Sequence, residues 1–260
     1  MKRLVIGCGN ELRGDDGVGP KVARAVADLG VSDVLAIAVH QLTPELADIT
    51  AGADDAIFVD ADAETGLERI RVRPVRPVGV GSPLNHVSGP GEILALAQAL
   101  HGRCPRAWLM TMPTRSLDFG EQLSPAAEAG RRQALDLIRA WTKQRLAMHE
   151  VSLLQDAIEI AEEQAQAKGA RRIDKITLRV GRLAGVDPEA LAFAFEVVAR
   201  GTLAEGAQLI VEDVPVVCHC TACEMEFQPE GWAFECPRCG QVTNRAQKGG
   251  ALELASLEVS

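Results

Sequence analysis

Arg145–Leu153, RLAMHEVSL, is the seam of the chain. Before it, a helical run closes a complete α/β arrangement. After it the pattern starts afresh, with Leu153, Leu154, Ala157, Ile158, Ile160 and Ala161 at helical spacing towards Lys168-Gly169. The seam predicts two domains, 1–147 and 148–260, in a chain of 260 residues that is long enough for one large or two small ones. Within it, Met148-His149-Glu150 is either a solvated surface pair or a metal-binding tripeptide.

Composition narrows the classes on both sides. The hydrophobic fraction of 47% is ample for a core, and no apolar run approaches the ~18 residues of a membrane span. Met1-Lys2-Arg3 imitates the start of a signal peptide, but Leu4-Val5-Ile6 stops at Gly7-Cys8-Gly9-Asn10, so a cytoplasmic location is expected. The net charge of −9 is uneven: residues 1–147 hold 17 basic and 18 acidic residues, residues 148–260 hold 10 and 18. Neither half has the excess of Lys and Arg that neutralising a phosphate backbone requires, so nucleic acid is not expected as a partner. Acidic surfaces suit metal cations and basic proteins. Of seven cysteines, five lie within Cys218–Cys239, which reads as metal ligation in a reducing compartment rather than as a disulfide framework.

Upstream of the seam, Lys2–Ile6 is a short apolar strand that runs into Gly7–Pro20, GCGNELRGDDGVGP, followed by Val22, Ala23, Ala25, Val26 and Leu29 at helical spacing. Strand, glycine-rich loop and helix open a doubly wound sheet. A dinucleotide site fits poorly. The third glycine of G-x-G-x-x-G is replaced by Leu12, and Asp15-Asp16 would stand where a pyrophosphate needs positive potential. One Asp at a helix start is often an N-cap, whereas the pair inside G-D-D-G points to a metal or catalytic role.

Further strands are predicted at Val34–Val39, Ala56–Val59, Glu68–Val75 and Ala107–Met112, with helices at Pro44–Thr50, Glu92–Leu100 and Pro125–Leu146. The expected fold is a three-layer α/β domain with a mostly parallel, twisted sheet. Function in such sheets gathers beyond the carboxyl ends of the strands. Asp16 and Asp60 both fall there and could share a site, though Asp60 also suits a turn. His86 lies in the Gly/Pro-rich loop Val78–Gly91, either solvated or a ligand. His40 and His101 read as surface residues, Cys8 and Cys104 as small structural ones. Neither G-x-S-x-G nor H-E-x-x-H is present.

Gly7-x-Gly9-Asn10-x-Leu12-x-x-Asp15-Asp16-Gly17-x-Gly19, Val59-Asp60-Ala61, and Asn85-His86 with Glu92-Ile93-Leu94 together resemble the maturation endopeptidases of nickel–iron hydrogenases over about residues 1–146. The resemblance implies an enzyme that removes a C-terminal extension from the hydrogenase large-subunit precursor once nickel is in place. It also implies that Asp16, Asp60 and His86 contact that nickel, which belongs to the substrate. Two carboxylates and an imidazole suit such a borderline ion.

Downstream, a strand is predicted at Ile173–Val180, a helix at Ala190–Ala199 opened by Asp187 as N-cap and Pro188 at N1, and a strand at Gln208–Val217 that feeds into the cysteines. Cys220-x-x-Cys223 and Cys236-x-x-Cys239, twelve residues apart, are two knuckles that complete a tetrahedral four-cysteine zinc ribbon over about 217–244. Cys218 and His219 are bystanders or exchange with a ligand. The expected second fold is α+β.

Met148-His149-Glu150, Val180–Leu183, Val186–Glu189, Phe195-Glu196, Gly201-Thr202, the four cysteines and the closing strand Leu252–Val259 resemble the HypA-type nickel metallochaperones over about residues 148–260. This resemblance implies structural zinc, and nickel bound at His149 with Met148, Glu150 and Asp187 as further candidates. It also implies a HypB-type GTPase as partner. In a free-standing chaperone the Met carries an α-amine; here Ala147 is joined to it by a peptide bond.

The whole chain is therefore expected to be a fusion that couples nickel delivery to proteolysis. Two alternatives stand beside it: a docking and delivery protein that does not cleave, and a zinc-ribbon nucleic-acid adaptor, which the net charge of −1 over residues 217–249 disfavours.

Overall fold

Among the described residues five strands build the first sheet: β1 (Arg3–Cys8), β2 (Val34–Val39), β3 (Asp55–Ala61), β4 (Arg71–Val75) and β5 (Arg106–Met112). They lie in the order β2-β1-β3-β5-β4. All pairs are parallel except β4, which runs antiparallel to β5. Among the described residues four α-helices cover the sheet: α1 (Val18–Ala27), α2 (Leu46–Ala51), α3 (Pro90–His101) and α4 (Pro125–Thr142). Side chains alternate across a strand. Leu4, Ile6 and Phe58 pack with Leu46, Ile93 and Leu94 beneath α2 and α3. Val5, Ile57 and Val59, fully buried, face the other side, where α1 and α4 meet. Burial on both faces is why the central strands β1, β3 and β5 are nearly continuous apolar runs, while the edge strands β2 and β4 are partly exposed.

The glycines at the first crossover serve close approach, not phosphate. A Cβ on Gly19 would stand 2.3 Å from the Cys8 carbonyl oxygen and 2.6 Å from that of Val59, so α1 can settle over β1 and β3 only because no side chain is there.

The computed structural model describes residues 2–62, 66–78, 89–143, 147–229, 234–243 and 246–260, divided between two units, Met1–Met148 and His149–Ser260. The second unit holds α5 (Met148–Ala167), β6 (Ile173–Gly181), α6 (Pro188–Val198), β7 (Gln208–Val214), β8 (Val217–Cys220), β9 (Met225–Phe227), β10 (Ala246–Lys248) and β11 (Leu252–Val259). Its main sheet has the order β11-β6-β7, with β6 and β7 parallel across α6. A smaller antiparallel sheet, β10-β8-β9, carries the cysteines.

Most expected elements form within a residue or two of their expected bounds, and three differ. Gln208–Val217 is not one strand. It ends at Val214, and the chain resumes as β8 in a different sheet, because Pro215 has no N–H to continue a ladder. The strand expected from Glu68 begins only at Arg71. The helix expected to reach Leu146 ends at Thr142, and residues 144–146 lie outside the described residues.

Candidate functional site

The loop after β1 divides the two adjacent aspartates. Asp15 is 0% exposed. Its carboxylate accepts from the backbone N–H groups of Arg115 (2.7 Å), Ser116 (3.2 Å) and Ser124 (2.6 Å) and from the Ser124 hydroxyl (2.7 Å). Burial alone would raise its pKa, but these donors outweigh it and hold the carboxyl below the usual range. Ser124 Oγ in turn accepts from Ala127 N and caps α4. Asp15 is thus a tie between the loops after β1 and β5 and the start of α4. The expected metal or catalytic role of the pair is corrected at this position: four donors saturate the carboxylate and leave it nothing to offer an ion.

Asp16 is left to face the site. Its carboxylate accepts from Asn10 N at 2.9 Å, and the loop can bend there because a Cβ on Gly9 (φ +137°) would strike the Asp16 carbonyl at 1.9 Å. Asp60, at the carboxyl end of β3, accepts from Ala61 N at 2.8 Å. Burial, reinforced by the charge of Asp16 and partly offset by that N–H, pushes Asp60 up to about 6. Cys8, at the end of β1, joins them. Burial and the charges of Asp60 and Asp16 push its thiol up to about 12, and its Sγ donates to the His40 carbonyl at 3.7 Å. The structure therefore brings Asp16, Asp60 and Cys8 to one end of the sheet. Two carboxylates in mutual repulsion, one holding a proton up to about pH 6, suit a divalent cation. The thiol stays neutral and is no nucleophile. His86 lies outside the described residues. Cys8, read from the sequence as a small structural residue, is a neutral thiol that packs beside the two carboxylates.

In the second unit, Cys220, Cys223, Cys236 and Cys239 converge, with all four sulfurs within 4.8 Å of one another. The sulfurs of Cys220 and Cys239 lie 3.6 Å apart, and those of Cys236 and Cys223 4.0 Å. A tetrahedron with Zn–S of ~2.3 Å has an edge of ~3.8 Å, so the cluster fits one zinc ion with little movement. Cys223 is pushed up to about 12, chiefly by its hydrogen bond to Cys239. Cys236 falls to about 7 because the N–H groups of Arg238 and Cys239 overcome its burial. The second knuckle is closed by Gly240 N donating to the Cys236 carbonyl, with Gly240 at φ +72°. Cys218 is buried in β8 opposite Phe227 and stands outside the cluster.

The expected nickel residues are less tightly gathered. Asp187 caps α6, its Oδ1 accepting from Glu189 N (2.8 Å) and Ala190 N (3.4 Å). Glu150 is 3% exposed; its Oε1 stands 3.5 Å from Asp187 N, and its buried Oε2 has no hydrogen-bond partner among the described residues. Glu150 and Asp187 are therefore neighbours. Met148 is buried and His149 exposed on the first turn of α5. Consecutive helical positions diverge by ~100°, so Met148, His149 and Glu150 reach one ion only if that turn unwinds. Among the described residues no helix is long and apolar enough to cross a membrane.

The chain is similar to known proteins in both of its parts. In solved structures, the hydrogenase maturation protease HycI of Thermococcus kodakarensis is similar at 22% identity, covering 55% of this chain and 92% of that one, with a TM-score of 0.45. The hydrogenase maturation factor HypA of a Picosynechococcus species is 47% identical over 112 residues, 43% of this chain and 99% of that protein. The HypA of Geobacter metallireducens is 44% identical over the same length, again 99% of that protein. The family model for hydrogenase/urease nickel incorporation, the metallochaperone HypA, matches residues 148–259. With nearly the full length of such relatives contained in its second part, the chain belongs, through residues 148–259, to the HypA family.

Proposed function

We propose that this chain matures nickel–iron hydrogenase, joining a nickel carrier (148–260) to an endopeptidase (1–147) that cuts the large-subunit precursor after nickel has been inserted. The observation that carries the enzymatic half is geometric: the loop after β1 folds back on β3 and sets Asp16 beside Asp60, at the carboxyl end of that strand. Such a pair meets a cation on the substrate, and His86 supplies a third contact. Nickel is cargo and signal here. It is delivered from the side of His149, Glu150, Met148 and Asp187, then read by Asp16, Asp60 and His86 on the precursor. Zinc held by Cys220, Cys223, Cys236 and Cys239 keeps the ribbon folded. Membership of the HypA family supports the carrier role and a HypB-type GTPase as the loading partner.

Incubating the purified chain with nickel-loaded and nickel-free precursor tests the reading. Only the loaded form is expected to lose its extension, and Asp16→Asn is expected to leave loaded precursor uncut. Equal cleavage of both forms would remove the nickel gate. Intact transfer without any cleavage would leave a delivery protein whose first half only docks.

A further inference from the structure

β2 is one of the two edge strands of its sheet, with β1 as its one ladder partner among the described residues. Which of its groups are used follows from the register. Arg3 N donates to the Asp33 carbonyl and Gly9 N to that of Val39, while Arg3 pairs with Val34. In a parallel ladder these two bonds fix the alternation: Leu35, Ile37 and Val39 turn their N–H and C=O towards β1, and Ala36 and Ala38 turn theirs outwards. Among the described residues no hydrogen bond engages those outward groups.

Proteins usually blunt such an edge with a charge, a proline or a bulge. Val34–Val39, VLAIAV, has no charge and no proline, its register with β1 is unbroken, and Leu35 is 50% exposed. The edge also leads somewhere. A trough of about 620 Å³ is lined by Ala38 and His40 at the end of β2, then by Gly9, Asn10 and Leu12 of the loop that carries Asp16. A second copy's own β2, only six residues long, would satisfy the edge and stop there. An occupant that pairs with Ala36 and Ala38 and also fills the trough is a longer extended chain that reaches Asn10, whose N–H holds the Asp16 carboxylate.

We infer that the free edge of β2 takes up an extended segment of the polypeptide substrate as an added strand and leads it through the trough to Asp16 and Asp60. This rests on the endopeptidase reading, which makes that segment the C-terminal extension of the large-subunit precursor. Main-chain pairing supplies affinity with little demand on sequence, and the trough sets how far the segment reaches.

Amide hydrogen exchange on the intact chain tests it. In the free chain the amides of Leu35, Ile37 and Val39 exchange slowly and those of Ala36 and Ala38 quickly. Adding a peptide with the sequence of the extension is expected to slow Ala36 and Ala38 at least tenfold. Ala36→Pro removes one outward N–H and no bond to β1; Ala38→Lys adds a charge at an exposed edge position and serves if the proline disturbs folding. Either is expected to raise KM for nickel-loaded precursor about tenfold with kcat retained. Parent-like KM in both, with no new protection, overturns the strand while leaving cleavage intact. If the parent chain cuts nothing, the endopeptidase reading fails, and exchange with added peptide still decides the strand. Protection of Ala36 and Ala38 that grows with chain concentration alone, together with sedimentation as a dimer, assigns the edge to a second copy and overturns the proposal.

Discussion

Asp60→Asn should stabilise the first unit while abolishing cleavage. Burial, with the charge of Asp16, raises Asp60 from the ordinary 3.8 to about 6. At 1.36 kcal/mol per pH unit that gap is about 3 kcal/mol. The sign follows from proton binding. Between pH 3.8 and 6 the folded state holds a proton that the unfolded state has released, so stability falls as pH rises through this window. Below it the group costs nothing; above it the full penalty is present. Asparagine matches the shape and its Oδ1 can still accept from Ala61 N, but it carries no charge to bury. The variant should therefore gain about 3 kcal/mol at pH 7.5 and only about 0.5 kcal/mol at pH 4. For a unit of this size the larger gain is a rise in melting temperature of about 6–12 °C. Tryptophan emission reports it, since Trp108 and Trp141 lie in this unit, and no nickel is added, because a bound cation would offset the penalty. Asp16→Asn should give a smaller gain of the same sign, since it relieves the lesser of the two causes. An Asp60→Asn chain no more stable than its parent at pH 7.5, or a gain independent of pH, would refute the reasoning.

Two further outcomes are expected. Asp15→Ala should destabilise the first unit by about 3 kcal/mol or more in urea unfolding, because the N–H groups of Arg115, Ser116 and Ser124 lose their acceptor together. Since the Asp15 pKa is lowered in the folded state, its contribution is present above the unfolded value and lost as pH falls, so the variant should also flatten the acid limb of the stability curve. Stripping zinc with a chelator, or substituting Cys239→Ser, should release one equivalent of metal by elemental analysis and increase amide exchange in β8 and β9, with the first unit's tryptophan transition unchanged.

Much of this was legible in the residues. The central strands of the first sheet are apolar runs because both faces are buried, and that pattern is local. Asp187-Pro188 announces its helix because a cap acts on N–H groups two and three residues away. Two C-x-x-C pairs announce their cluster because each pair spans a local turn, the second closed by Gly240 N on the Cys236 carbonyl. Legibility ended where partners lie far along the chain. Asp15 and Asp16 are equivalent as neighbours in sequence. They part only because Arg115, Ser116 and Ser124, about a hundred residues away, return to one carboxylate and not to the other.

By itself, then, the chain's covalent order determined the periods of its elements, its caps and its metal knuckles, all set by interactions spanning a few residues. The tertiary structure alone decided the remainder: that β4 runs against its neighbour β5, that Cys8 stands beside Asp16 and Asp60, and that β2 ends one side of the sheet with the N–H and C=O groups of Ala36 and Ala38 facing outwards. The reason is physical. Whether a backbone N–H is spent or free, and whether a carboxylate is saturated or available, depends on which distant segment folds against it.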